Sequence, residues 1–217
     1  MQVKELHDKF DTLQFKFGDS SLSAIYGAGC INQPNICFVF MNPIKSNVSA
    51  HKDWMGLRAP WIGTKNVWKL LSALGFLDKG IYLEIKQSKP SDWDTAFADK
   101  VYQSIKNNKV YITNLAKSTQ SDARSLPNSI FEEYLPLLER EILLIKPKAI
   151  ITFGNQVSSI ILNQSIKVSE CRKKSFDWKI ASKNYKVHPV YYPVGQGMRN
   201  MDKAINDIQY ICKIIKI

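Results

Sequence analysis

The sequence predicts an α/β protein: a three-layer α/β/α arrangement around a central, mostly parallel sheet of four strands, built as one domain over residues 1–217. Two observations carry this prediction. Short apolar, β-branched runs begin near residues 36, 110, 148 and 187 and alternate with amphipathic helical segments, the pattern of strands joined by crossover helices. Each run also ends in a polar or glycine-containing stretch, and in this fold class such ends gather along one edge, where ligands bind. A chain of 217 residues, 45% hydrophobic and 23% charged, suits one domain of that kind.

The elements follow in order. Leu6, Phe10, Leu13 and Phe17 fall on one side of an amino-terminal helix ending near Phe17. The first strand, Ile36 to Phe40, breaks at Asn42-Pro43 into a lysine-bearing loop. Thr64 suits the cap of a helix through Val67, Trp68, Leu70, Leu71 and Leu74 that stops at Gly75. Residues 80 to 97, with Gly80 and Pro90, read as a loop with one short element. VYITN (Val110 to Asn114) is the second strand, and a long amphipathic helix runs from about Asn128 to Ile145. KPKAIITFG gives the third strand, closed by Gly154, with the short helix QVSSIIL after it. Residues 164 to 185 read as a hairpin or loop. The strand VHPVYYP then enters the glycine loop VGQGMRN, and a last helix reaches Ile217.

Thirty Lys and Arg against nineteen Asp and Glu give a net charge of +11. Such an excess favours a polyanionic partner, nucleic acid above all, although lysine-rich enzymes share it. The four cysteines, Cys30, Cys37, Cys171 and Cys212, form no CxxC pair. Their spacing matches neither a zinc site nor an iron–sulfur run, so they read as reduced core thiols and no metal is expected. No apolar run is long enough to span a bilayer, and the polar, helical start differs from a signal peptide. A cytoplasmic location follows as an expectation.

Four segments stand out together: FVFMNP, RAPWIGTKN, VYITNLAKS and YYPVGQGMRN. In order and spacing they resemble the motifs of the uracil-DNA glycosylase superfamily. The frame is closest to its bacterial and archaeal family-4-like branch, which YGAGCINQPNICFVFMNP and LLEREILLIKPKAIITFGNQV resemble most; the likeness covers roughly residues 24 to 210. It implies hydrolysis of the N-glycosidic bond of deoxyuridine in DNA, releasing uracil and leaving an abasic site. It implies no cofactor, and no matched lysine nucleophile, hence a monofunctional enzyme. The expected partner is DNA carrying uracil or a related lesion, without membrane association, and the chain is expected to act as a monomer.

The sequence also departs from that branch. Met41 stands where family-4 members carry glutamate, beside the base, and Asn42-Pro43 instead resembles the mismatch-specific and single-strand-selective branches. Family-4 members hold an iron–sulfur cluster on four cysteines. Two of those positions align with Ser118 and Tyr134, and no cysteine pair precedes Tyr26. The last motif reads Tyr192-Pro193 where the family has His-Pro.

Cleavage of an N-glycosidic bond passes through an oxocarbenium-like sugar and a departing base anion, so a site needs a positioned water, donors to the base and a slot for an extruded nucleotide. Asn42 is the candidate for orienting the water, or else a turn asparagine. Trp61 matches the aromatic on which the flipped base stacks, or else it staples the helix after it. Asn114 matches the residue that reads uracil through N3–H and O4, or else it ends the strand. Tyr192 takes the place of the histidine that donates to O2. Gly195, Gln196, Gly197, Met198 and Arg199 fit the loop that pinches DNA, with Met198 as an apolar wedge. Lys45, Lys65, Lys117 and Arg199 suit phosphate contacts or form a solvated basic face. His188 reads as structural, and His51 as a remote substitute for the missing histidine. Two other functions fit the same residues: a non-catalytic nucleic-acid-binding protein, and a glycosylase for another damaged base.

Overall fold

A computed structural model describes residues 3–123 and 126–217, with the side chains of Lys4 and Gln196 outside the described residues. The helices are α1 (His7–Phe17), α2 (Asn66–Ala73), α3 (Lys79–Gln87), α4 (Thr95–Asn107), α5 (Asn128–Ile145), α6 (Asn155–Leu162), α7 (Val168–Cys171) and α8 (Met201–Ile215). The strands are β1 (Ala28–Gly29), β2 (Ile36–Phe40), β3 (Val110–Asn114), β4 (Ala149–Phe153), β5 (Phe176–Ile180) and β6 (Lys183–Val190). They form one sheet in the order β1-β3-β2-β4-β6-β5.

The four expected strands are the parallel centre, β3-β2-β4-β6. The sheet has six strands rather than four, because an antiparallel strand closes each edge: β1 on β3 and β5 on β6. Both additions are hard to see in sequence. β1 is two residues long, and β5 alternates buried and exposed positions inside a lysine-rich hairpin. By contrast β2, β3 and β4 are buried at every position, as parallel strands covered on both faces must be.

Side-chain alternation sends Ile36, Phe38 and Phe40 of β2 to one layer, with α2, α4 and α8. Cys37 and Val39 go to the other, with α1, α5 and α6. The stretch 80–97, expected to be a loop with one short element, instead holds nearly all of α3 and the first turn of α4. Their starts are capped by Asp78, which accepts from the Gly80 and Ile81 amides, and by Asp94, which accepts from the Phe97 amide. Thr64 does not cap α2: its hydroxyl donates to the Trp61 carbonyl at 2.7 Å, and Lys65 occupies the cap position without a side-chain capping bond. No described helix is long and apolar enough to cross a membrane.

This topology positions the site. The connection leaving β2 carries α2 and α4 on one face, while that leaving β4 carries α6 on the other. The chain therefore diverges at the carboxyl ends of two adjacent strands, opening the crevice where α/β sheets bind ligands.

Candidate active site

Phe40, the last residue of β2, is the centre of an aromatic group at that crevice. Phe153 stacks on it with ring centroids 4.3 Å apart, and Trp61 and Tyr192 meet it edge-on at 4.9 and 6.3 Å. On the next strand Asn114 pairs directly with Phe40. Past the strand ends the pairing continues, with the Leu115 amide donating to the Phe40 carbonyl (2.8 Å) and the Ala116 amide to the Met41 carbonyl (3.0 Å). The Asn114 carboxamide is thus fixed in register beside Phe40 and one residue short of the turn that carries Asn42.

Asn114 is only 2% exposed, yet its Nδ2 has no hydrogen-bond partner among the described residues. Leaving a buried donor unpaired costs on the order of 1–3 kcal/mol, and in a native structure such an orphan calls for a reason. Reading a ligand acceptor supplies one. The Trp61 Nε1 is a second buried donor without a partner among the described residues, on a ring that meets Phe40 edge-on.

Trp61 is held firmly. Its backbone sits at φ +70°, in the left-handed region that a bulky residue seldom adopts. Three donors converge on its carbonyl oxygen: the Thr64 amide (3.1 Å), the Thr64 hydroxyl (2.7 Å) and the Trp68 indole (3.0 Å). Those bonds offset the strained conformation and fix the indole against Phe40. Asn42 is buried, and its Nδ2 donates to the Pro43 carbonyl at 3.1 Å. That bond commits the amide end and leaves Oδ1 as an acceptor. Tyr192 is half-buried, and burial pushes its phenol up to about 12, so at neutral pH the group is a protonated donor.

The loop Gly195–Asn200 folds back over Tyr192 as a 3-10 turn. A side chain at Gly197 would come within 2.0 Å of the Tyr192 carbonyl oxygen, so the close approach requires glycine. Gly195 has φ +57°. Met198 is 48% exposed, and its sulfur lies 3.4 Å from the Asn66 amide at the start of α2. Lys45, Lys65 and Arg199 are exposed, and Lys65 Nζ donates to the Lys86 carbonyl. The Gln196 side chain lies outside the described residues.

Two expected site residues are misplaced. Lys117 is 0% exposed and pairs with Glu141 at 2.8 Å, so it cannot meet a phosphate. The reason is local: two residues past Leu115 the chain has turned beneath the sheet, and the ammonium enters the layer between β3 and α5. Met41 packs into the α5-side layer, because alternation along the strand turns it away from the face that Phe40 presents. His188 is buried in β6 beside Ile151, and His51 lies in the loop with Nε2 donating to the Lys45 carbonyl at 3.2 Å. Sequence reasoning passed over Glu141, for which a charged position on the inner face of an amphipathic helix was the available signal.

The Ser118 and Tyr134 hydroxyls are hydrogen-bonded to each other in the interior, and Ser118 also donates to the Leu13 carbonyl of α1 at 3.2 Å. Two engaged neutral hydroxyls do not fit the thiolate chemistry of an iron–sulfur cluster. Among the described residues no group of three or more His, Cys, Asp or Glu side chains converges as metal ligands. Two surface clefts lie elsewhere, one beside Asp78 and Lys100 and one beside Glu132 and Asp177, and neither gathers the motif residues.

Comparison with known proteins bears on the arrangement. The family model described as the Uracil DNA glycosylase superfamily matches residues 26–212. The chain is also similar to a type-4 uracil-DNA glycosylase of Sulfurisphaera tokodaii, 29% identical over 93 residues. That match spans 41% of this chain and 42% of the length of its relative.

Proposed function

The chain belongs to the uracil-DNA glycosylase superfamily, and from that premise we propose that it is a monofunctional uracil-DNA glycosylase acting on DNA as a monomer. The observation that carries the reading is Asn114: a buried carboxamide with an unpaired Nδ2, set between an aromatic floor and the Asn42 turn. Uracil presents N3–H and O4, one donor and one acceptor, which Oδ1 and Nδ2 match. Cytosine presents the reverse pattern and leaves buried groups unpaired, a penalty larger than a lost contact.

In the reaction the flipped nucleotide stacks its base on Trp61, which Phe40 backs edge-on, while Met198 fills the vacated position in the stack. Asn42 Oδ1 accepts a hydrogen bond from water and aims the oxygen at C1′. An amide is too weak a base to take the proton outright, so its work is orientation. The C1′–N1 bond breaks with its electron pair leaving on the base. The water oxygen bonds to C1′, and its proton is lost to solvent. The Tyr192 phenol, kept protonated by burial, donates to the departing anion at O2. Exposed Lys45, Lys65 and Arg199 neutralise phosphates along the same edge.

The test is direct. Oligonucleotides with one uracil, single- and double-stranded, are incubated with the protein and probed for free uracil and alkali-labile abasic sites. Release from uracil but not from cytosine or thymine is expected. Intact uracil strands in both forms, with retained DNA binding, would replace this reading with that of a binding protein.

A further inference from the structure

Beneath the candidate site lies an ionic network that no solvent reaches. Lys117 and Glu141 are both 0% exposed. The Lys117 ammonium has three protons and three acceptors: Glu141 Oε2 at 2.8 Å, Thr113 Oγ1 at 2.6 Å and the main-chain carbonyl oxygen of Asn114. The other carboxylate oxygen of Glu141 accepts from the Tyr111 phenol at 2.7 Å and from the Thr113 hydroxyl at 3.0 Å. Among the described residues, the hydrogen bonds of the pair within the sheet therefore fall on the last four residues of β3, the strand that ends in Asn114. Phe10 of α1 closes the network, its ring centroid 5.1 Å from the ammonium.

Stability alone is a poor explanation for this arrangement. Taking two charges out of water costs several kcal/mol per ion, and apolar residues of equal volume are often as stable or more so. What the charges supply is direction. Ladder bonds fix the register of the strand end, and an ammonium with three partners adds a hold on the Asn114 carbonyl itself. From there the amides of Leu115 and Ala116 tie the same segment to Phe40 and Met41, next to Asn42. We propose that Lys117, itself held by Glu141, is a positioning residue that sets the orientation of the Asn114 carboxamide relative to the Asn42 turn. The inference rests on the reading of Asn114 as the residue that recognises the base. The pair touches neither substrate nor water and acts only through β3.

Removing one charge strands the other in the interior and risks unfolding. The decisive variant therefore removes both: Lys117→Met with Glu141→Leu. Thermal unfolding reports the fold, and amide hydrogen exchange reports the segment 110–117 separately from the rest of the sheet. A third measurement compares uracil release with cytosine release under single-turnover and steady-state conditions. The double variant is expected to fold with a lowered unfolding temperature, because the buried Tyr111 and Thr113 hydroxyls lose their acceptor, and to exchange faster by about tenfold or more at 113–117 while β2 and β4 keep their protection. Its kcat should fall about 10- to 100-fold with KM little changed, as for a misplaced group. Discrimination against cytosine should narrow, an effect that a uniform loss of folded protein would not produce. A folded double variant with unchanged exchange at 113–117 overturns the proposal. So does one that fails to fold, since the pair would then be a requirement of folding. If the parent releases no uracil, the glycosylase reading fails by itself, and the exchange measurement still decides whether the pair positions Asn114.

Discussion

Asn114 joins an acceptor and a donor on one short, buried side chain, and its unpaired Nδ2 makes a sharp forecast possible. Asn114→Asp replaces that donor with a second acceptor facing O4. Uracil release should fall about 100-fold, as expected when a buried partner is lost and a like dipole takes its place. Cytosine, whose N4 amino group can donate to the new acceptor, should gain relative to uracil, so the preference narrows or inverts; the ratio of the two rates is the measurement. Tyr192 differs in kind, because its value as a donor depends on its protonation state. Burial raises the phenol to about 12. Activity should therefore persist through pH about 10, where an ordinary tyrosine ionises. Tyr192→Phe should cost about 100- to 1000-fold in kcat, the usual effect of deleting one transition-state donor. A Phe variant as fast as the parent would show that the phenol has not taken over the donor role of the family histidine.

At the scale of elements, the loop Gly195–Asn200 and the parallel strand ends act as one unit. Gly197 lies against the Tyr192 carbonyl, so Gly197→Ala forces the loop outward. It should lower uracil release about tenfold or more while leaving the unfolding temperature almost unchanged, because the loop is not part of either core layer. Met198→Ala keeps the loop but removes the apolar tip, and should weaken the extrusion of the base from duplex DNA more than from single strands. These elements were legible in sequence to different degrees, for physical reasons. Parallel strands buried on both faces must be continuously apolar, so β2, β3 and β4 announced themselves. Their polar endings placed Asn42 and Asn114 on one edge. The second turn of such an edge is less legible. The alternation that pointed to Phe40 also turned Met41 to the opposite layer. The chain reversal after Leu115 took Lys117 inside, where a buried lysine looks in sequence like any surface one. Thr64 resembled a helix cap, but its hydroxyl serves the strained Trp61 turn. α4 was missed because its aspartate cap, Asp94, closes the proline-containing polar run SKPSDWD, which suggested loop.

For the whole molecule, the charge of +11 implies binding that weakens steeply as salt rises through counterion release. Lys45→Ala and Arg199→Ala should each reduce the slope of log affinity against log salt by about 0.7 to 0.9, whereas Lys117, sealed in the core, contributes no such term. The hydroxyl pair Ser118 and Tyr134 predicts that anaerobically purified protein lacks stoichiometric iron and sulfide and the broad visible absorption they produce. Acid stability has its own marker in His188, whose two ring nitrogens are buried without side-chain partners and whose value is lowered by burial. A depressed histidine contributes stability that is complete above its unfolded value near 6.5 and is lost as pH falls toward the folded value. Unfolding midpoints should therefore decline below pH 6.5, and His188→Leu should flatten that decline. The central claim is that Asn42 orients the attacking water at a site that otherwise binds the extruded uracil nucleotide. Its most direct test is a parallel measurement of uracil release and of binding to a single-stranded uracil oligonucleotide, for the parent and for Asn42→Ala. The account predicts active parent protein and a variant slowed about 100- to 1000-fold that binds the oligonucleotide as tightly as the parent. A variant that releases uracil at the parental rate would contradict it.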